Sequence, residues 1–214
     1  MAVRVARIPG QIQEVCDSSD WGPLVSTNPL KLEADRKLLD GFEGWLAVST
    51  LRNRIQRGER LGMPDEAGVY AVVLPSLGDG RFEDETSAGR YQGRNPRVSR
   101  QELQTAWVPN TQVVYVGRTG RRGGGRHLEK RIEDLVRFGQ GEDGVPHYGG
   151  KRLWHLSERE NLLVGWKVTE NSTGEEVRLQ GQFKARHRML PFANEREEHA
   201  DPPSTARFVS KDES

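Results

Sequence analysis

The stretch VVYVGRTGRRGGGRHLEKRI at residues 113–132 decides the expected fold, because it joins three kinds of local structure. Its first residues are an apolar run that includes Tyr115, and such a run predicts a buried strand. Arginines and glycines follow as a polar turn, and the segment from residue 126 to 138 then has apolar residues at helical spacing. The stretch therefore predicts a strand that carries a tyrosine, a basic turn and a helix.

Two further apolar runs predict the rest of a small sheet. GVYAVVLP at 68–75 and LLVGWKVT at 162–169 are typical of buried strands, and EEVRLQGQFKARHRML at 175–190 predicts a final helix that ends at Pro191. Upstream, KLEADRKLLDGFEGWL at 31–46 has apolar residues near helical spacing and predicts an amphipathic helix. The order of these elements predicts an α/β domain in which helices flank a three-stranded sheet.

The same patterns divide the chain into regions. Residues 1–66 are expected to form a mostly helical N-terminal extension, residues 67–195 the α/β core, and residues 196–214 an acidic tail. A long polar insertion at about 76–111 interrupts the core between its first two strands, and its composition predicts little contribution to the hydrophobic core. We therefore expect one main domain with attachments.

Composition and charge narrow the classes of function. The chain of 214 residues has no apolar stretch of membrane-spanning length, no apolar signal segment and a single cysteine, Cys16. These features predict a cytoplasmic protein with no membrane partner and no internal disulfide. The net charge is +1, yet ten basic and only two acidic residues lie within 90–131. Arginines interleaved with glycines suit a polyphosphate backbone, although a solvated basic loop has the same composition.

Several features of the chain, in their order, resemble the signature of the GIY-YIG nuclease superfamily. The matching features are GVY at 68–70, YVG at 115–117, Arg131 on the next helix, Glu176 at the start of a later helix, and a PxxN ending at Pro191 and Asn194. The resemblance covers residues 67–195. It implies the fold of that superfamily, a small three-stranded sheet flanked by helices, here with an N-terminal extension and a long insertion.

The resemblance implies an enzyme that hydrolyses phosphodiester bonds with one Mg²⁺ or Mn²⁺ ion. Tyr115 would be the base that deprotonates the attacking water, provided that a positive neighbour lowers its pKa. Arg118, three residues later, is the expected neighbour. Tyr70 on the adjacent strand would hold the water or the phosphate by a hydrogen bond. A strand tyrosine without this context is more often a core residue.

The remaining matched residues have roles that their chemistry explains. Arg131 would bind the phosphate in the transition state, where negative charge builds up. Glu176 would supply an oxygen ligand to Mg²⁺, and Asn194 would orient the assembly by side-chain hydrogen bonds. Glu175 is the alternative metal ligand, because the sequence alone does not fix the register of the final helix.

Two positions depart from the superfamily's pattern. Arg118 stands where many members have lysine, and its role would be electrostatic because arginine does not deprotonate in proteins. Restriction-type members carry histidine or tyrosine one helical turn after the arginine, where this chain has Leu135. His127, one turn before Arg131, lies on the same helix face and is a candidate replacement. The alternative is that His127 is an ordinary residue at the start of the helix.

Double-stranded DNA is the expected partner, and a homodimer is left open. Six arginines are candidates for contact with phosphates: Arg94, Arg97, Arg100, Arg121, Arg122 and Arg126. The insertion and the N-terminal region are long enough to contact bases, which favours a restriction-type, sequence-specific endonuclease. The alternatives are a repair or homing-type nuclease and a catalytically decayed nucleic-acid-binding module on the same fold. The departures at Arg118 and Leu135 would favour the decayed module.

Overall fold

The computed structural model of the protein describes residues 28–120 and 127–197. Residues 1–27 of the predicted N-terminal extension, the acidic tail after residue 197, and the candidate arginines Arg121, Arg122 and Arg126 lie outside the described residues. The elements follow in the order α1 (Glu33–Leu38), β1 (Glu43–Ala47), α2 (Val48–Gln56), β2 (Gly68–Val73), α3 (Arg100–Ala106), β3 (Val113–Arg118), α4 (Leu128–Gly139), two 3₁₀ segments (Tyr148–His155 and Arg159–Asn161), β4 (Leu163–Val168) and α5 (Ser172–His187). Within these described ranges, no helix is long and apolar enough to cross a membrane.

The sheet consists of four antiparallel strands in the order β1-β4-β2-β3. The strands predicted at 68–75, 112–117 and 162–169 are confirmed as β2, β3 and β4. The α/β class is confirmed with them. The predicted number of three strands is wrong, because β1 pairs with the outer side of β4. β3 is the strand at the opposite edge of the sheet.

The second half of the helix predicted at 31–46 is a strand instead. β1 pairs with β4 from Glu43, which lies opposite Trp166. Gly41, with a φ angle of +77°, lies between the helix and the strand in a conformation that ends a helix. Gly44, with a φ angle of +79°, lies within β1, where the pairing with β4 is irregular. Gly44 also lies against the Trp166 ring, where any side chain would collide. The apolar residues that look like one helical face therefore belong to two elements.

β2 runs through the middle of the core and is buried along its whole length. Tyr70 and Val72 belong to the core on the α2 and α4 side of the sheet. Val69, Ala71 and Val73 belong to the core on the α1 and α5 side. Because successive side chains of a strand point to opposite faces, one strand supports both helical layers.

The insertion at about 76–111 contributes to the core, contrary to the prediction from its polar composition. Phe82, Val98 and Leu103 are buried in the same cluster as Tyr70. Each fully buried aliphatic or aromatic side chain stabilises a fold by roughly 1.5–3 kcal/mol relative to exposure. The insertion is therefore an integral part of the domain.

Two sets of polar contacts hold the insertion in place. α3 begins with a capping box, in which Ser99 and Glu102 satisfy each other's backbone N–H groups. The buried His155 accepts a hydrogen bond from the Val98 N–H at 3.1 Å, and its other ring nitrogen lies 3.0 Å from the Glu83 carbonyl oxygen. A polar segment is thus fixed to the core by hydrogen bonds as well as by a few apolar side chains.

Candidate active site

Tyr70 and Tyr115 lie side by side on one face of the sheet. Tyr70 pairs with Gly117 and Tyr115 with Val72, so the two tyrosines are diagonal neighbours on adjacent strands. Their ring centroids are 6.0 Å apart. A side chain at Gly117 would collide with the ring of Tyr70, which explains why glycine follows the Tyr-Val pair. The geometry of the sheet thus brings the two signature motifs together.

A β-bulge in β3 lies next to Tyr115. Val72 pairs with Tyr115, but the next residue of β2, Val73, pairs with Val113, so Val114 has no partner in the β2 ladder. Its carbonyl oxygen accepts a hydrogen bond from the Ala193 N–H at 2.8 Å instead. Bulges bend a strand and change the direction of a side chain, and they are common beside active sites.

Asn194 binds the edge of β3 through both ends of its side-chain amide. Its Oδ1 accepts a hydrogen bond from the Val116 N–H at 3.0 Å, and its Nδ2 donates to the Val116 carbonyl oxygen at 2.8 Å. The side chain thereby occupies the place of a neighbouring strand. Asn194 therefore contacts the backbone of the residue next to Tyr115 through one accepted and one donated hydrogen bond.

The segment that carries Asn194 is fixed by an aromatic cluster. Phe192 stacks on Phe82 with ring centroids 5.5 Å apart and contacts Trp107 edge-on at 5.2 Å. Phe82 and Trp107 come from the insertion and from the end of α3, so the insertion supports the C-terminal segment. Such aromatic pairs contribute about 0.5–1.5 kcal/mol beyond their buried area.

His147 joins the two tyrosines, and sequence analysis missed it. The Tyr70 hydroxyl lies 2.6 Å from His147 Nε2, and the imidazole ring centroid is 6.1 Å from that of Tyr70 and 6.0 Å from that of Tyr115. Burial lowers the pKa of His147 well below its usual value, and the positive charge of Arg131 lowers it further. The imidazole is therefore neutral, which allows Nε2 to accept a hydrogen bond from the Tyr70 hydroxyl.

Arg131 holds the loop that carries His147. Its Nη1 donates a hydrogen bond to the carbonyl oxygen of Pro146 at 2.7 Å. Burial alone would lower the pKa of Arg131, but the nearby Tyr70 and Tyr115 outweigh that effect and the pKa is raised. The guanidinium is a fixed positive charge beside the phenols.

The pKa values of the tyrosines contradict the expectation that Tyr115 is acidified by Arg118. Burial raises the pKa of Tyr115 well above 10.0, and the neighbouring Tyr70 raises it further. The pKa of Tyr70 is also raised by burial, although Arg131 partly offsets the effect. Both phenols are protonated at neutral pH.

Arg118 contacts Glu176 rather than a tyrosine. Its Nε lies 2.7 Å from Glu176 Oε2, and the side chains are only 16% and 6% exposed. α5 places Glu176 here, because Asn171 caps the helix by accepting a hydrogen bond from the Gly174 N–H at 2.9 Å. A carboxylate on the second turn of α5 therefore meets the end of β3.

Glu175, the alternative metal ligand, points elsewhere. It forms ion pairs with Arg178 at 2.8 Å and with Lys167 at 3.0 Å. The hydrogen bond from Arg178 is the main reason that the pKa of Glu175 falls to about 2, with Lys167 contributing. Since adjacent helix residues are about 100° apart, Glu175 and Glu176 face different surroundings.

A cleft of about 270 Å³ opens beside Tyr115. It is lined by residues from the insertion, β3, the 3₁₀ segment, α5 and the C-terminal segment: Arg94, Tyr115, Tyr148, Gly149, Glu176, Gln180, Asn194, Glu195 and Arg196. Tyr70, His147 and Arg131 are not among the lining residues and lie behind Tyr115. The cleft is therefore lined by three of the predicted catalytic residues, Tyr115, Glu176 and Asn194, and by Arg94 from the arginines that were expected to contact DNA.

The cleft can hold one divalent metal ion. Among the described residues, no group of three or more His, Cys, Asp or Glu side chains could form a protein-only metal site. Mg²⁺ needs fewer protein ligands, because it keeps several waters and is bound by one or two carboxylates together with substrate phosphates. Glu176 fits this requirement. Glu195, the other acid of the cleft, is paired with Lys151 at 2.9 Å.

Other predicted residues lie outside the cleft. His127 is at the start of α4 with its side chain 43% exposed, and its Nδ1 is 4.0 Å from Asp65 Oδ1. Leu135 is fully buried in the core. His147, rather than His127, supplies a histidine beside the tyrosines. No sequence signal indicated it, since it lies on a loop beyond α4 and not at helical spacing from Arg131.

The structure separates the arginines of the insertion. Arg94 lines the cleft, whereas Arg97 pairs with Glu85 at 3.1 Å and Arg100 with Asp84 at 2.9 Å. Two of the six arginines that were expected to contact DNA are thus paired with acidic residues from the first half of the insertion.

Comparison with known proteins gives no family assignment, because no protein-family model, curated protein or solved structure matches the chain. The functional interpretation therefore rests on the residues and geometry described above.

Proposed function

We propose that the protein is a metal-dependent endonuclease of the GIY-YIG type that hydrolyses phosphodiester bonds of double-stranded DNA. One observation carries the proposal. Tyr70, Tyr115 and Arg131, which lie far apart in the sequence, come together on one face of the sheet, beside a cleft that Glu176 and Asn194 also line. This arrangement combines a proton acceptor, a charge for the phosphate and a metal ligand.

Proton transfer would run along a short chain of side chains. Tyr115 faces the cleft, Tyr70 is its neighbour, and the neutral His147 contacts the Tyr70 hydroxyl. Because neither phenol is ionised at neutral pH, a phenolate base is not available at rest. When Tyr115 takes a proton from water, its own proton moves to Tyr70, and the proton of Tyr70 moves to His147 Nε2. This route deprotonates water without forming a free phenolate.

Charge stabilisation would come from Arg131 and from the metal. Arg131 stays protonated. It does not line the cleft and its Nη1 is held by the Pro146 carbonyl oxygen, so its positive charge beside Tyr115 would stabilise the phosphate electrostatically as negative charge builds up. Glu176 would hold Mg²⁺ or Mn²⁺, which supplies positive charge to the phosphate and to the leaving 3′ oxygen. Asn194 keeps the edge of β3 in place and so positions Tyr115.

A second candidate function is a nucleic-acid-binding module that does not cleave. It is favoured by the raised pKa values of both tyrosines and by the engagement of Arg118 with Glu176. Within the nuclease proposal, a restriction-type enzyme is favoured over a repair or homing type, because the insertion is built into the core and borders the cleft through Arg94.

Plasmid nicking with matched variants tests the proposal. The purified protein should nick or linearise supercoiled plasmid with Mg²⁺ or Mn²⁺ and not with EDTA. Glu176→Gln should abolish cleavage, because it removes the charge that holds the metal. Glu175→Gln is the matched control and should keep cleavage at temperatures below its unfolding transition, since Glu175 pairs with Arg178 and Lys167 outside the cleft.

Two results would contradict the proposal. If the folded protein leaves plasmid intact with both metals between pH 6 and 10 but still binds DNA, the non-catalytic module takes its place. If Glu175→Gln abolishes cleavage and Glu176→Gln does not, the metal site is wrongly placed on α5.

A further inference from the structure

The ion pair between Arg118 and Glu176 occupies the carboxylate that the proposed function assigns to the metal. Arg118 Nε contacts Glu176 Oε2 at 2.7 Å, and the other oxygen, Oε1, has a long contact of 3.5 Å with Gln180 Nε2. Oε2 thus lies against a full positive charge, and the contact from Gln180 to Oε1 is at the limit of hydrogen bonding. The guanidinium of Arg118 is therefore a cation that is already present at the Glu176 carboxylate.

A guanidinium and a divalent metal cannot share this carboxylate without repulsion. Both partners of the ion pair are largely buried, so their interaction is screened less than a surface pair would be. Arginine does not lose its proton in proteins, so the repulsion cannot be relieved by deprotonation. The repulsion favours displacement of the arginine side chain when a metal binds.

The fold allows that movement. The backbone of Arg118 is fixed, because it pairs with Val69 at the end of β3. Its guanidinium is carried on a long flexible stem, and its Nη1 also donates a 3.3 Å hydrogen bond to the Thr119 carbonyl oxygen. Since Glu176 lines the cleft, a guanidinium that leaves this carboxylate is beside the position of a bound phosphate.

We infer that Arg118 and the divalent metal ion are alternative partners of the Glu176 carboxylate, so that Arg118 holds the site before metal binds and is released toward the substrate phosphate when it does. This inference rests on the proposed function, because it takes Glu176 as the metal ligand. It assigns Arg118 a positioning and gating role.

Metal affinity measured without DNA tests the inference independently of cleavage. In titration calorimetry with Mn²⁺, Arg118→Gln should bind the metal more tightly by at least ~5-fold, because the competing charge is gone. Arg178→Gln is the matched control, since it removes a charge from the same region but one that pairs with Glu175. It should change the affinity much less. Weaker or unchanged Mn²⁺ binding by Arg118→Gln would overturn the inference.

Glu176→Gln in the same titration distinguishes failure of the proposed metal site at Glu176 from failure of the inferred competition between Arg118 and the metal. If Glu176→Gln removes Mn²⁺ binding while Arg118→Gln leaves the affinity unchanged, Glu176 is the metal ligand but Arg118 does not compete with the metal for it. If it leaves Mn²⁺ binding intact, the metal site itself is wrong and the inference falls with it.

The unaltered protein gives a second measurement if Arg118→Gln does not fold. The side-chain Nε–Hε NMR signal of Arg118, assigned by its loss in Arg118→Lys, should shift as Mg²⁺ is added and saturate together with metal binding. A signal that stays in place through saturation would show that Arg118 keeps its contact with Glu176, and the inference would be wrong.

Discussion

A single buried imidazole changes how the two tyrosines of the site can act. His147 is neutral and lies 2.6 Å from the Tyr70 hydroxyl, while burial keeps both phenols protonated. A mechanism that relies on one acidic tyrosine does not fit these surroundings. In the proposed proton chain, His147 Nε2 would accept the Tyr70 proton against the effects of burial and of the Arg131 charge, both of which lower the pKa of His147. The histidine is then as important to the proposed chemistry as the tyrosines.

The Tyr70–His147 contact should behave as one unit in a double-mutant cycle. Tyr70→Phe and His147→Phe each interrupt the proton chain and should reduce cleavage by roughly 100-fold or more. The double variant should lose little beyond either single variant, because the second change acts on a chain that is already broken. The measurement is the cleavage rate at saturating metal for all four proteins, with thermal unfolding recorded for each.

Additive losses would contradict the shared role of the two residues. Each single variant also leaves one buried polar group without its partner, so a stability loss of about 1–3 kcal/mol is expected and does not count against the mechanism. A His147→Phe protein that is folded and fully active would remove His147 from the site.

At the scale of elements, the insertion is the region whose packing is hardest to predict from the sequence. Its polar composition hides a small apolar set that packs into the core, with the buried His155 joining its backbone to the 3₁₀ segment. The insertion thus supports both the core and, through Phe82 and Phe192, the segment that carries Asn194.

Leu103→Ala should show that α3 belongs to the domain. Leu103 is 1% exposed and lies in the main core cluster, so the truncation should lower the free energy of unfolding by about 2–5 kcal/mol. Gln101→Ala is the matched control on the exposed face of the same helix and should change stability by less than about 0.5 kcal/mol. The measurement is chemical denaturation of both variants. Equal stabilities would mean that α3 unfolds separately from the core.

The ion pairs of Glu175 on α5 should make stability depend on acid pH. Its folded-state pKa of about 2 lies below the ordinary value of 4.5, so its stabilising contribution is complete above pH 4.5 and is lost as pH falls toward 2. The contribution is at most about 3 kcal/mol. Glu175→Gln should therefore be less stable than the parent at pH 7 and nearly equal to it at pH 2. A stability difference that stays constant with pH would contradict the assignment.

The elements differ in how far sequence could predict them. β2, β3 and β4 are continuous apolar runs, and such runs predict buried strands directly. The apolar residues of β1 continue the helical spacing of α1 and therefore predict a helix. The left-handed backbone of Gly41, between the two elements, and of Gly44, inside β1, interrupts that helix. Among site residues, the motif indicated Tyr70, Tyr115 and Glu176, which the fold brings together. The position of His147 depends on the path of the loop after α4, and the partner of Arg118 depends on how closely α5 approaches β3. Neither can be predicted from local sequence patterns.

At the scale of the whole molecule, charge is arranged locally rather than as a general excess. The net charge is only +1, so the proposed binding to DNA would depend on a small number of arginines that are not paired with nearby acids. In the part of the chain that the structure describes, Arg94 and Arg196 line the cleft without an acidic partner for their side chains. Arg97 and Arg100 form ion pairs within the insertion.

This difference predicts unequal effects on the salt dependence of DNA binding. A cation that contacts a phosphate releases counterions, so Arg94→Ala should reduce the slope of log affinity against log salt by about 1. Arg97→Ala is the matched control and should leave the slope nearly unchanged, because Arg97 is already paired with Glu85. The measurement is fluorescence anisotropy with a labelled duplex in EDTA at several salt concentrations. Equal flattening by both variants would mean that the ion pair opens on DNA, and an unchanged slope for Arg94→Ala would place the DNA backbone away from this cleft.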